Sequence, residues 1–339
     1  MSEAGQSGRV VETRLVGEDE GEVRLDRWFK RHYPQLSHIQ LQKLLRTGQV
    51  RVDGKRAEAN TRLAPGQAIR VPPLPDPAPA AEGAKPAVRK PVFSEKEAQG
   101  LRSRVLYRDA DVLVLDKPAG LAVQGGTNQD KHLDAMLDLL VLDGKERPKL
   151  VHRLDKDTSG CLVLARSSAA ASKLAAAFRS RDARKIYWAV TVGVPTPHQG
   201  RIDLPLGKEA SSGGERMAVD EDGQHAITYY TVLEHAHRQA AFVALWPRTG
   251  RTHQLRVHMD ALGTPILGDG KYAGQGAFLE GGAEIRRQLH LHARRIIMPH
   301  PRGGTIDVTA PLPEHMRPAW DYFGFSTNLK ADPFAELQF

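Results

Sequence analysis

The sequence predicts an α+β protein in two parts, a small basic module followed by a larger sheet-based domain. Three observations lead there. Beyond residue 101, strand-like segments follow one another more often than they alternate with helices, which argues against a doubly wound parallel sheet. Residues 73–100 interleave Pro73, Pro75, Pro77, Pro79 and Pro86 with alanine, a composition that favours an extended spacer and precludes a packed core. Charge is also uneven: of a formal net charge of +8 over 339 residues, the stretch from Glu22 to Pro72 carries eleven cations and four acids, a net of +7. The expected organisation is a flexible tail over 1–22, a module over 23–72, a linker over 73–100, a main domain over 101–325 and a C-terminal tail over 326–339.

Each element has a local reason. Leu25, Trp28 and Phe29 fall at helical spacing, and Tyr33-Pro34 ends that helix. Ser37 with Gln40 has the form of a capping box and opens a second helix, with Ile39, Leu41, Leu44 and Leu45 as its apolar face and Gly48 as its C-cap. Val50, Val52 and the Asp53-Gly54 turn predict a short hairpin, and a turn at Pro65-Gly66 leads into a strand over 68–71. In the main domain, 112–115 and 161–165 are apolar runs of buried-strand length. An alanine-rich helix is expected over 168–179 with Ser167 as cap. Residues 185–192 alternate: Ile186, Trp188, Val190 and Val192 face one way, Lys185, Tyr187, Ala189 and Thr191 the other. Strands follow at 226–233 and 240–246, then a helix from Thr252 to Leu262 closed by Gly263.

Composition excludes several classes. No apolar run approaches the ~18 residues a membrane span needs, and Met1–Gly21 is too polar for a secretory signal. The single cysteine, Cys161, rules out an internal disulfide, lies in a Leu/Val run as a small hydrophobe, and suits a reducing compartment. These features point to the cytoplasm. A run of cations is often only a solvated face, but this concentration in one small module favours a nucleic-acid partner. Lys43, Arg46, Arg51, Lys55 and Arg56 are its candidate nucleic-acid contacts.

The chemistry concentrates at His152-Arg153-Leu154-Asp155-Lys156-Asp157-Thr158-Ser159-Gly160, a turn between apolar runs. Asp155, flanked by Arg153 and Lys156, is expected to stay ionised and to be able to act as a nucleophile. The structural alternative is an Asp that caps its own turn or pairs with a neighbouring Arg. This string closely resembles the signature of the RluA-type pseudouridine synthases. Four further segments match that family in order: VLVLDKPAGLAVQGG at 112–126, KIYWAV at 185–190, TGRTHQLRVHM at 249–259 and LHLHA at 289–293. Two helices and small strands ending in GQAIRVPP, over about 23–72, resemble the S4 RNA-binding domain.

The resemblance implies a catalytic domain with a bent, mixed, mostly antiparallel sheet flanked by helices. It implies isomerisation of uridine to pseudouridine in RNA, with 23S ribosomal RNA the expected partner, no membrane association and a monomeric protein. Asp155 is then the catalytic residue, acting at the ribose C1′, at the base C6 or on a C2′ proton. Arg251 is the candidate cation that keeps it charged, with a phosphate contact as its alternative. Tyr187 would stack under the uracil and take the C5 proton; a plain packing role is its alternative. Arg153 would enter the space left by a flipped nucleotide. Leu255 and Leu291 would line the pocket, or serve only as core leucines.

Breaking N1–C1′ and rejoining through C5 is redox-neutral, so no cofactor is expected. Gly268-Asp269-Gly270-Lys271 lacks phosphate-loop spacing. His152, His253, His258, His290 and His292 lack a zinc spacing, so no metal is expected. The rivals are a non-catalytic RNA-binding assembly factor, a synthase acting on tRNA, and an S4-linked methyltransferase or tRNA synthetase. The first predicts lesions at Asp155, Tyr187 or Arg251; the last two enzymes need a cofactor loop or an ATP site, and neither feature is present in the sequence. Leu255, where isoleucine is frequent, and the insertion Gly274–Arg287 depart from the family pattern.

Overall fold

The computed structural model describes residues 11–74, 93–125, 131–143, 146–211, 214–281, 284–329 and 332–335. The chain forms two compact units, residues 1–89 and 90–339. Most of the expected linker lies outside the described residues, but Glu95–Arg102, placed in that linker, is a helix capped by Ser94.

The first unit contains β1 (Glu12–Leu15), α1 (Leu25–His32), α2 (His38–Arg46), β2 (Arg51–Val52), β3 (Lys55–Arg56) and β4 (Ala68–Val71). The strands form an antiparallel sheet in the order β1-β4-β2-β3. Asp53 and Gly54 turn the β2–β3 hairpin at φ 49° and 74°, the left-handed pair such a two-residue turn requires. The Ser37–Gln40 capping box is present at the start of α2. Trp28, Phe29, Leu41, Leu45 and Ile69 meet in the core. Ile39 does not join them; it is 83% exposed.

The expected N-terminal tail is not a tail from Glu12 onward. β1 pairs with β4 and covers its edge, and Val16 is buried. The Glu20 carboxylate accepts from the Trp28 indole at 3.0 Å and pairs with His32 at 2.6 Å; the His32 contact leads in holding its pKa down to about 2. All four β1 residues are exposed, so this strand has no apolar alternation to reveal it. Its ladder bonds place it, together with the Tyr33 hydroxyl donating to Glu12 at 2.8 Å and the Arg14–His32 contact at 3.1 Å.

The second unit runs through α3 (Glu95–Arg102), β5 (Val105–Arg108), β6 (Val112–Lys117), α4 (Leu133–Met136), β7 (Lys149–Leu150), β8 (Ser159–Ala165), α5 (Ser168–Arg179) and β9 (Arg184–Val192). It continues with β10 (Gln199–Asp203), β11 (Leu206–Ser211), β12 (Gly214–Val219), β13 (Ile227–Ala236) and β14 (Ala240–Pro247). Last come α6 (Gln254–Ala261), α7 (Gly270–Ala273), β15 (Leu291–Pro299), β16 (Thr305–Thr309) and α8 (Arg317–Phe323). Among the described residues the main sheet has ten strands: β10-β13-β14-β9-β15-β8-β6-β5, with β7 beside β8 and β16 beside β15. The architecture is α+β with a mixed, mostly antiparallel sheet.

Both sheet faces are covered. On β6, Val112 and Val114 pack under α5 with Ala170 and Leu174, while Leu113 and Leu115 face Leu133 and Leu137. β8 and β15 form the parallel pair. Gly160 sits there at φ 106°, where a Cβ would lie 2.3 Å from the Ala293 carbonyl oxygen. Only glycine admits that approach. The expected C-terminal tail is also partly structural: Phe334 is buried against Ile186, Ala244 and Trp246, and Asp332 pairs with Arg184 at 2.9 Å. A docking contact made by one side chain carries no period, so it was not visible in sequence. Phe278 and Ile285 of the Gly274–Arg287 insertion are likewise anchored: Phe278 lies under the Arg287 guanidinium and Ile285 is buried.

Candidate active site

The turn between β7 and β8 carries Asp155 into a cleft of about 540 Å³. Arg153 lies two residues before it, exposed, on the same cleft. Tyr187 comes from β9, Leu291 from β15, Leu255 from α6 and Arg251 from the loop before α6; all line this cleft. Leu255 and Leu291 are also core residues, packed with Leu245 and Met259. The β9 alternation is as expected: Tyr187 contacts the cores opposite to those of Ile186 and Trp188.

Lys117 fastens the turn. Its fully buried ammonium donates to the carbonyls of Pro118, Leu121 and Lys156 at 2.8–2.9 Å, and Gly120 N–H also donates to Lys156 O. Burial pushes this amine down to about 7, opposed by Asp157, Asp155 and Asp116. Ser159 and His292 bond at 2.9 Å across the parallel β8–β15 contact. His152 stacks on Phe178 and accepts from Val163 N–H, and burial holds it neutral, down to about 3.

The charges around Asp155 differ from the sequence expectation. Burial raises its pKa above the usual aspartate range, opposed by Arg256 first, then Arg153 and Lys117, while Asp157 adds to the rise. Lys156, expected to help, is exposed and contributes its backbone instead. Arg251, expected as the cation of the site, donates its Nε to the His225 carbonyl at 3.1 Å. The cation that most favours the Asp155 anion is Arg256, one turn and a half further on and lining the same cleft. It is buried, gripped by both Asp269 oxygens at 2.7 and 2.5 Å, and its guanidinium lies over the Tyr272 ring.

The cause lies at the start of α6. Thr252 is not the cap; His253 is, at φ 53°, with its Nδ1 bonded to the Tyr272 hydroxyl at 2.6 Å. The Gln254 side chain accepts from Thr249 Oγ1 and from Arg251 N–H and donates to Ile227 and Thr228, turning the chain so that Arg256 points inward. One signal was present in sequence: Arg256 stands among Leu255, Val257 and Met259, and a cation in an apolar stretch requires a buried partner. The partner, Asp269, belongs to the Gly268-Asp269-Gly270-Lys271 segment, whose spacing is not that of a phosphate loop.

Burial, then Asp155 and Cys161, push the Tyr187 phenol up, so the hydroxyl keeps its proton at neutral pH. As for metals, Asp109, Asp111 and His300 are the one described cluster with ligand-like spacing. Asp109 is already engaged by Tyr107, two backbone N–H groups and His300, and Asp111 by Arg302.

The candidate RNA contacts of the first unit, Lys43, Arg46, Arg51, Lys55 and Arg56, are all exposed. Arg46 and Arg56 flank one groove, and Arg51 is tied to the carbonyls of Gly48 and Gly54. Among the described residues none of the five forms an ion pair, whereas Arg24, Arg31 and Arg62 do.

A family model described as RNA pseudouridylate synthase matches residues 111–261, which span the Asp155 turn, β9 and α6. A ribosomal large subunit pseudouridine synthase C of Rickettsia conorii is 36% identical over 81% of this chain and 88% of its own length. The chain belongs to the RNA pseudouridine synthase family. The mitochondrial RNA pseudouridine synthase 4 of Arabidopsis thaliana is 34% identical over 86% of this synthase and 77% of its own length. A solved human structure, RNA pseudouridylate synthase domain containing 4, superposes with a TM-score of 0.56 at 31% identity, covering 68% of this synthase and 96% of that chain. The protein is therefore an RNA pseudouridine synthase, an isomerase acting on uridine in RNA. No helix among the described residues is long and apolar enough to cross a membrane.

Proposed function

We propose that this synthase modifies uridines of 23S ribosomal RNA, with Asp155 as the catalytic residue and residues 23–72 as an S4-type module that docks the RNA. It would work as a cytoplasmic monomer without a cofactor. The observation that carries this reading is a half-buried carboxylate, the single one among the residues lining its cleft, sharing that cleft with a buried guanidinium and a tyrosine ring. The large-subunit target is supported by the names of the Rickettsia relatives and by the exposed cations of the first unit.

In this mechanism the target uridine leaves its stack and Arg153, at the cleft mouth, fills the space behind it. The uracil lies on Tyr187, with Leu255 and Leu291 completing an apolar wall. Arg256, oriented by Asp269, favours the Asp155 anion against the cost of burial. The N1–C1′ bond breaks, the uracil rotates, and C5 bonds to C1′. One proton must then leave C5. Because the Tyr187 phenol is protonated, it takes that proton only as it passes its own to Asp155, whose raised basicity suits it to receive it. The proton later returns to N1, so atoms and charge balance with no oxidant or metal.

Carbodiimide mapping of pseudouridine in 23S rRNA from cells with and without the gene tests the target. Loss of one or a few sites is expected; an unchanged map of 23S rRNA would refute it. Asp155→Asn protein should fail to restore those sites while still binding the RNA.

A further inference from the structure

We propose that Lys185 is the seat of a phosphodiester, one of the two that flank the flipped uridine. The inference rests on the uridine-binding reading of the Asp155 cleft and adds to it a residue and a ligand group.

Lys185 stands two positions before Tyr187 on β9, on the same strand face, and both line the cleft. Two strand residues span roughly 6.6 Å, which puts the ammonium beyond a uracil stacked on Tyr187 but within reach of the same nucleotide's backbone. The other cleft cations have protein partners or open solvent. Arg256 has Asp269, Arg251 has the His225 carbonyl, Arg248 lies over the Trp246 ring, and Arg153, Arg179 and Arg181 are exposed.

Lys185 is half-buried, and among the described residues no carboxylate lies within 4 Å of it. One long bond, 3.4 Å to the Thr249 carbonyl, engages one of its three donors. A cation held out of water without an anion is costly, and Arg248 beside it adds like-charge repulsion. Burial and that neighbour push the amine down to about 8, so it still carries its charge near neutrality. A bound anion would remove both penalties. A neutral uracil carbonyl would not, and Asp155 is the single carboxylate among the residues lining the cleft. RNA supplies the required group, a singly charged phosphodiester with oxygens for more than one N–H donor.

The test uses the full-length protein and a synthetic stem-loop carrying a mapped target uridine, in three forms. One is all-phosphate; the other two have a neutral methylphosphonate on the 5′ or the 3′ side of that uridine. With native RNA, Lys185→Met should weaken binding about tenfold or more, because a charge-assisted contact is lost, and should change turnover at saturating RNA by less than about threefold. Lys185→Arg should restore most of the affinity and controls for folding. One of the two methylphosphonates should weaken wild-type binding about tenfold, yet add no further loss to Lys185→Met. Wild-type-like binding by Lys185→Met would overturn the proposal. So would equal penalties from both methylphosphonates in wild type and variant. A wild-type protein that modifies no 23S uridine would instead sink the target assignment, a separate result.

Discussion

Two sets of cations, one in each unit, are used in opposite ways. In the first, Lys43, Arg46, Lys55 and Arg56 are exposed and have no carboxylate partner among the described residues. In the second, Arg256 and Lys117 are buried and each is fully engaged, by a carboxylate or by three carbonyls. Exposed charges act at a distance, are screened by salt and substitute for one another. Buried, oriented charges act on a single group and have no substitute. The difference separates affinity from reactivity, and four experiments can break or sharpen it.

The largest effect is expected from Asp155→Asn: pseudouridine formation should fall by at least about 10³-fold, as for loss of other catalytic groups, with RNA affinity changed by less than about threefold. Tritium release from 5-labelled uridine in RNA measures the first and filter binding the second. If RNA binding fell with activity, the separation of roles would fail.

Arg256→Ala comes next, with turnover reduced about 10²–10³-fold, against less than about tenfold for Arg251→Ala. The pH profile carries the sign. Activity that needs the Asp155 anion rises as pH climbs through a carboxylate pKa already raised by burial. Without Arg256, the first of the charges opposing that rise, the acid limb should move to still higher pH. A larger loss with Arg251→Ala, or an unmoved acid limb in Arg256→Ala, would return the role to Arg251.

Single neutralisations at Lys43, Arg46, Arg51, Lys55 or Arg56 should each weaken binding severalfold. Each should reduce the slope of log affinity against log salt by about 0.7–0.9, with turnover at saturation unchanged. An unchanged salt slope in all five would remove the first unit from the RNA path.

The smallest effect is on stability. A carboxyl whose folded pKa lies above its unfolded value binds its proton more tightly when folded. The Asp155 anion therefore costs stability, and that cost grows as pH rises through the unfolded and then the folded pKa. Asp155→Asn should unfold at a slightly higher temperature than wild type at pH 7 and lose that advantage in acid. A lower melting temperature at pH 7 would contradict the burial argument.

Much of this was legible in sequence. The Ser37–Gln40 cap, the Asp53-Gly54 hairpin and the helix 168–179 with its Ser167 cap are local devices whose causes lie within a few residues, and each is found where expected. The alternation that sends Tyr187 away from Ile186 and Trp188 is equally local. The strand β1, the anchored Phe334 and the exposed Ile39 were not legible, because ladder bonds and single docking contacts leave no period in the chain.

By itself, then, the sequence determined the α+β class, the order of the motifs, the aspartate and the strand tyrosine, since turn chemistry and two-residue periodicity act over short distances. The tertiary structure decided which arginine serves that aspartate. Arg251 and Arg256 lie five residues apart, and the apolar neighbours of Arg256 are the one local hint that separates them. A left-handed His253, a Gln254 side chain bonded across to Thr228, and Asp269 at the far end of a connecting loop turn one inward and leave the other at the rim. Burial of a charge depends on partners distant in sequence, and their meeting exists only in the fold.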